Sequence, residues 1–269
     1  MEQKYIKYAN KKIHMLIIVP VAISILLLLT CAINSLYTMQ QGYLISKIHE
    51  LFNSAEKSFY GQVNKDAMGI RGILDFVKQE KKLQYVWLSC DRQLLLSYSE
   101  SIFKNIESEY AITHFYFYNT EKINFLQVHQ PLRYGDHIDR LTLDNAAKYK
   151  KTTWGIELGP MGTVSLRAVE PWFINGSFVD YLEMGKEISH IMPELNKTFQ
   201  IESFTIIDKS YLNSIQWEQG MRMLGFSSDW DTFKAYVAID SDSAGLQNAI
   251  AKIITQRQSR NEKIYLSFG

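Results

Sequence analysis

The stretch GTVSLRAVEPWFINGSFVDYLEMGKEI, Gly162 to Ile188, decides the fold. Two runs, 162–174 and 177–188, are rich in β-branched and aromatic residues. Asn175-Gly176 stands between them, and this pair accepts positive φ at both centres of a type I′ turn. The stretch therefore predicts two strands closed into a tight antiparallel hairpin.

Working outward, the neighbouring segments also alternate. ITHFYFYN (112–119) and KINFLQVHQ (122–130) read as strands joined by a turn at Asn119–Glu121, and TTWGIELG (152–159) as another. LDNAAKYKK (143–151) reads as a short helix with Asp144 as its cap, and Asp91 to Glu109 as a longer one. From Tyr37 to about Lys82 there is no Pro, and Leu44, Ile48, Phe59, Val63, Ile70, Leu74 and Val77 recur at helical steps. That pattern predicts a long helical spine, about 66 Å if continuous at ~1.5 Å per residue, with a slip near Asp66 to Gly69. The order helix, strand, strand, short helix, strand, strand, strand is that of a PAS-like module, so the fold class is α+β with an antiparallel sheet.

A weaker copy follows. ESFTIIDKSYL (202–212), DTFKAYVAID (231–240) and KIYLSFG (263–269) read as strands, and NSIQWEQGMRML (213–224) and SAGLQNAIAKIITQRQ (243–258) as helices. The expectation is a second PAS-like module that is incomplete at residue 269. The expected organisation is residues 1–14, a 15–34 membrane anchor, a 35–82 spine, an 83–198 membrane-distal module and a 199–269 membrane-proximal module.

The N-terminus supplies the anchor. Met15 to Ile33 carries no charge, and nineteen residues at ~1.5 Å cover about 28 Å, close to a bilayer core. Lys4, Lys7, Lys11 and Lys12 precede it against Glu2, which places residues 1–14 in the cytoplasm and the body outside. An uncleaved signal anchor is the reading. Cleavage within TCAINS is disfavoured by the length of the apolar run, and lipidation at Cys31 by Thr30.

Composition excludes other classes. The net charge is +1 with 21% charged residues, which gives no electrostatic case for nucleic acid. Cys31 and Cys90 are the two cysteines; no disulfide and no zinc cluster is expected, as is common in the bacterial periplasm.

A membrane helix, a long helix and two tandem PAS-like modules resemble the plan of double Cache sensor domains. The motifs resemble the double sensory domain of two-component sensor kinases, also found in chemoreceptors. The family pattern runs roughly Arg-Val-His-x-Pro, Gly-Asp, Gly-x-Glu-x-Gly-x-x-Gly and Leu-Arg-Val-x-x-Pro. Val128, His129, Pro131, Gly135, Asp136, Gly155, Glu157, Gly159, Gly162, Leu166, Arg167 and Pro171 match it, and Gln127 stands where Arg is usual. The resemblance implies ligand sensing outside the membrane, signalling to a cytoplasmic output, and no catalysis in this chain.

Strand alternation offers a separate route to the site. One face, with Leu126, Val128, Ile156, Leu158, Val164, Leu166, Ala168, Leu182 and Met184, is apolar and should pack on the spine. The other carries Phe125, Gln127, His129, Glu157, Ser165, Arg167, Val169, Tyr181 and Glu183. The PLRYGD loop and the short helix would cover this face, and covered polar groups need partners. Arg133, Arg140 and Arg167 suit a carboxylate or phosphate. Asp136, Glu157 and Glu183 suit a cationic group, and Tyr134, Trp172 and Tyr181 form flat walls. These nine residues, with His129, are the candidate ligand site; an internal ion-pair network of Arg167 with Glu157 or Glu183 is the alternative.

His129, Asp136 and His137 do not make a convergent metal set, and neither a catalytic nor a cofactor motif is present. Two functions compete: a small-molecule sensor, dimeric through the spine in a bacterial inner membrane, and a ligand-free module for dimerisation or for binding a periplasmic protein.

Overall fold

The computed structural model describes residues 14–203, 205–226 and 229–239. The chain divides into two units, Met1–Lys57 and Ser58–Gly269. The expected helix 243–258 and strand 263–269 lie outside the described residues.

The first unit is helical. A π-helical turn, His14–Ile18, leads into α1, Val19–Val77. Pro20, which has no N–H to donate, falls where the π turn passes into α1. Ser24 Oγ and Thr30 Oγ1 donate to the carbonyls of Pro20 and Leu27, at 2.9 and 2.8 Å. Hydroxyls satisfied within their own helix are what a hydrocarbon environment requires. Among the described residues this is the one helix long and apolar enough to cross a membrane. Its chain continues without a break past Asp66–Gly69, where the sequence pattern slips.

In the second unit α1 buries Val63, Ala67, Ile70, Leu74 and Val77, a strict three- and four-residue stripe. A helix that the sequence reading missed follows: α2, Lys81–Leu88, with Glu80 accepting from the Leu83 N–H and burying Leu83, Val86 and Trp87. Helix α3, Arg92–Tyr110, starts on Asp91, whose side chain accepts from the N–H groups of Gln93 and Leu94.

The main sheet contains β1 (His114–Tyr118), β2 (Asn124–Gln127), β3 (Thr153–Leu158), β4 (Val164–Ile174) and β5 (Ser177–Glu187) in the order β2-β1-β5-β4-β3. Every pairing is antiparallel. Asn175 and Gly176 have φ of 52° and 81°, the two positive values of a type I′ turn. Helix α4, Leu141–Tyr149, begins at Arg140 without a side-chain cap. Asp144, expected as the cap, lies inside the first turn and pairs with Lys122 at 2.6 Å.

The apolar face packs on the helices: Phe115, Phe117, Leu126, Val128, Leu166, Ala168, Leu182 and Met184 share a core with the α1 stripe, Trp87 and Phe103. Ile156 and Val164 lie at its edge, and Leu158 is exposed. Phe125 departs from its expected face. The register shifts between Phe117 and Tyr118, which pair with Leu126 and Asn124, so Phe125 is bulged out of the alternation. It packs edge-on against Trp87 instead. The opposite face buries Tyr116, Tyr118, Val169 and Tyr181 beneath Ile138, Leu143 and Ala146.

After α5 (Ile191–Phe199), strands β6 (Thr205–Asp208) and β7 (Tyr236–Ile239) pair antiparallel and pack with α6 (Ser214–Leu224) around Trp217. The turn Gly159–Thr163 of the first sheet docks on α6. A Cβ on Gly220 would fall on the Met161 carbonyl, and one on Gly162 (φ 76°) on the Trp217 indole. Glycine at both positions is what allows the approach.

Candidate ligand-binding site

The polar face is built by register. Tyr116 stands opposite Gln127 on one side and Glu183 on the other; His114 and Arg167 both stand opposite Gly185. A Cβ at Gly185 would lie 3.3 Å from the His114 Cβ and 3.4 Å from the Arg167 Cγ, so glycine leaves room for the arginine stem.

Glu183, fully buried, is the hub. Its Oε1 accepts from Arg167 Nη1 at 2.5 Å and Arg140 Nη1 at 2.8 Å; its Oε2 accepts from the Tyr118 hydroxyl at 2.9 Å. The two guanidiniums lie 5.2 and 5.6 Å from the Tyr116 ring centre. Arg140 reaches in from the residue ahead of α4, and that helix is tied to β3 by Glu157. Glu157 Oε1 accepts from the Thr142 N–H and Oγ1 at 2.9 and 2.6 Å, while its Oε2 lies 3.7 Å from Arg140 Nε.

Protonation follows from this packing. Burial works against the charge on Arg167 and Arg140, but Glu183 together with Tyr116 and Tyr118 more than offsets it and both stay charged. Burial, then the field of Glu183, raises Tyr118 well above its usual range, so it remains a donor. Burial and the charge of Arg167 push His129 down to about 4 and His114 well below its usual value. Both imidazoles are neutral at pH 7. His129 Nδ1 accepts from the Phe115 N–H at 3.3 Å, which leaves the proton on Nε2.

A pocket of about 180 Å³ opens over this face. Of the expected site residues, His129, Arg133, Asp136, Arg140 and Arg167 line it. Glu183 and Glu157 stand behind the lining and hold Arg140, Arg167 and α4. Tyr134 is exposed and stacks on the Arg92 guanidinium at 3.9 Å, outside the pocket lining. Tyr181 lies under α4, its hydroxyl accepting from Lys150 Nζ at 2.9 Å. Trp172, expected as a pocket wall, is on the helix side. It packs on Trp87 and Phe117, and its Nε1–H donates to the Lys78 carbonyl at 3.0 Å. Residue parity explains the correction: Trp172 shares its face with Leu166 and Ala168.

The sequence reading missed His114, Tyr116, Gln130 and the turn Gly159–Thr163, which supplies Gly159, Pro160, Met161 and Thr163 to the lining. Parity along HFYFY would have found His114 and Tyr116; no local pattern indicates that the turn reaches the pocket. Among the described residues no three His, Cys, Asp or Glu converge as a metal set. The lining is therefore a polar surface of three guanidiniums, two carboxylates, imidazoles and amides, suited to recognition.

Comparison with solved structures returns sensor domains. The chain is similar to the sensor domain of the Vibrio cholerae histidine kinase DctB, at 13% identity and a TM-score of 0.48 over 63% of this chain. It spans just under two thirds of that domain, 65%. It is also similar to the Escherichia coli DcuS sensor domain (17% identity, TM-score 0.40, 52% of this chain and 98% of that one). A third likeness is to the sensory domain of the Campylobacter jejuni chemoreceptor Tlp3 with isoleucine bound (9%, 0.41, 60% and 66%). No curated protein sequence matches. A family profile described as the double sensory domain of two-component sensor kinases matches residues 45–220, well over half of the chain, and the chain belongs to that family.

Proposed function

We propose that the chain is the extracytoplasmic sensing part of a bacterial membrane receptor, and that the pocket over the polar face receives a small molecule. One observation carries this reading: Arg167, 2% exposed, and Arg140 line a cavity while being held from behind by Glu183. Buried charge maintained at the wall of an open cavity is what a recognition site needs. The resemblance to an internal ion-pair network is real, because Glu183 neutralises part of that charge. The network and the site are the same residues.

In this reading residues 15–34 anchor the chain in the cytoplasmic membrane and 35–82 form the spine. Residues 83–198 are the membrane-distal module and 199–269 belong to the membrane-proximal one. The chain catalyses nothing itself and acts on a cytoplasmic output. Self-association through the spine is supported by Leu36, Tyr37, Met39, Tyr43, Ile48 and Phe52, all exposed on α1.

The test is thermal unfolding of the full chain in nanodiscs against a library of soluble metabolites. A ligand at a hundredfold excess over its Kd adds about 2.7 kcal/mol. For a chain of this size that is a Tm rise of roughly 5–10 °C. Arg167→Ala abolishes the rise. A library in which no compound moves Tm sinks the proposal and leaves the ligand-free interaction module.

A further inference from the structure

We infer that the pocket takes a small monocarboxylate, gripped by the cavity-facing edges of Arg167 and Arg140. The inference rests on the reading of this pocket as the sensing site.

The donors point to the class. Among the hydrogen bonds of the described residues, each guanidinium uses Nη1 alone, and both Nη1 groups turn to Glu183. Both side chains line the cavity all the same. Glu183 shows what these two arginines hold: one carboxylate oxygen accepts from both, at 2.5 and 2.8 Å. A second carboxylate on the opposite edges repeats that geometry, with planar forks matched to a planar acceptor. A ligand amine would instead be brought against two buried cations.

The acids around the two guanidiniums disfavour more than one negative group on the ligand. Glu183 and Glu157 already stand behind the guanidiniums. Further out, the lining carries Arg133 with Asp136 and Asp139, which leaves that part of it acidic by one charge. A second carboxylate or a phosphate dianion would meet these acids. The buried imidazoles of His114 and His129 add no compensating charge, since both are neutral. A cavity of about 150 Å³ takes benzene, so about 180 Å³ suits a body of roughly six to eight heavy atoms. Gln127, Gln130 and Thr163 offer a hydroxyl partner, and Ile138, Pro160 and Met161 an apolar contact.

The experiment titrates the full chain in nanodiscs with acetate, butyrate and lactate, each beside its neutral amide, and with succinate, phosphate and ethylamine. The expected result is a Tm rise with at least one monocarboxylate and none with the matching amide. Arg167→Lys keeps the charge and loses the fork, and should weaken that binding at least tenfold. Should Arg167→Lys fail to fold, Arg140→Lys provides the same comparison. Equal binding of acid and amide overturns the inference, as does binding only of succinate, phosphate or ethylamine. In those cases the sensing reading survives. Silence from this panel with a neutral hit in the metabolite library also overturns the carboxylate alone; silence from both removes the sensing reading with it.

Discussion

Glu183, fully buried, accepts three hydrogen bonds, and its removal leaves Arg167 buried without a counterion. Breaking one side of such a pair costs about 3–5 kcal/mol. Glu183→Ala is expected to lose stability on that scale in urea denaturation, and Glu183→Gln, which keeps an acceptor, clearly less. Single residues also set the pH profile. Burial pushes Asp180 and Glu187 up to about 7, from ordinary values of 3.8 and 4.5. Between those limits the folded state holds extra protons, so these two groups make stability fall as pH rises toward 7. His129, pushed down from 6.5 to about 4, acts in the opposite sense: its share of stability is lost as pH falls through that window. Asp180→Asn with Glu187→Gln should therefore leave a stability that rises with pH up to about 6.5. His129→Gln should leave one that falls. Denaturation midpoints across pH 4–8 separate the two, and identical profiles would contradict both assignments.

At the scale of elements, what was legible is local. The β4–β5 hairpin follows from Asn175-Gly176, and Gly176→Ala should cost about 1–2 kcal/mol, because φ of 81° penalises a Cβ although nothing stands within 4 Å of it. The losses are local too, but of another kind. Phe125 left its expected face because a bulge adds one residue to β2, and parity downstream of a bulge cannot be counted from sequence. Trp172 was grouped with Tyr134 and Tyr181 by ring chemistry, although its even position in β4 assigns it to the helices. Helix α2 is eight residues, too short for periodicity to announce. In the site, Arg167 and His129 follow from strand alternation and Arg140 from its place ahead of the short helix, whereas Met161 and Thr163 enter through tertiary docking of a turn.

For the whole molecule, the exposed apolar row of α1 between Leu36 and Phe52 is the surface on which the proposed self-association rests. With Cys31 and Cys90 replaced by Ser, a cysteine at Ile48 or Phe52 is expected to cross-link two chains in membranes. One at exposed Lys57 should do so less, and uniform monomer at every position would exclude a dimer through this helix.

The turn Gly159–Thr163 joins two cores. One side of it walls the pocket; the other enters α6, where Gly220 makes room for the Met161 backbone and Gly162 meets Trp217. Gly220→Ala should cost about 1–3 kcal/mol by overpacking and perturb Trp217 fluorescence. A joint so tight has no play. Displacement of the turn from the pocket side has no slack to absorb it before it presses on Trp217, so the turn gears the two sheets together.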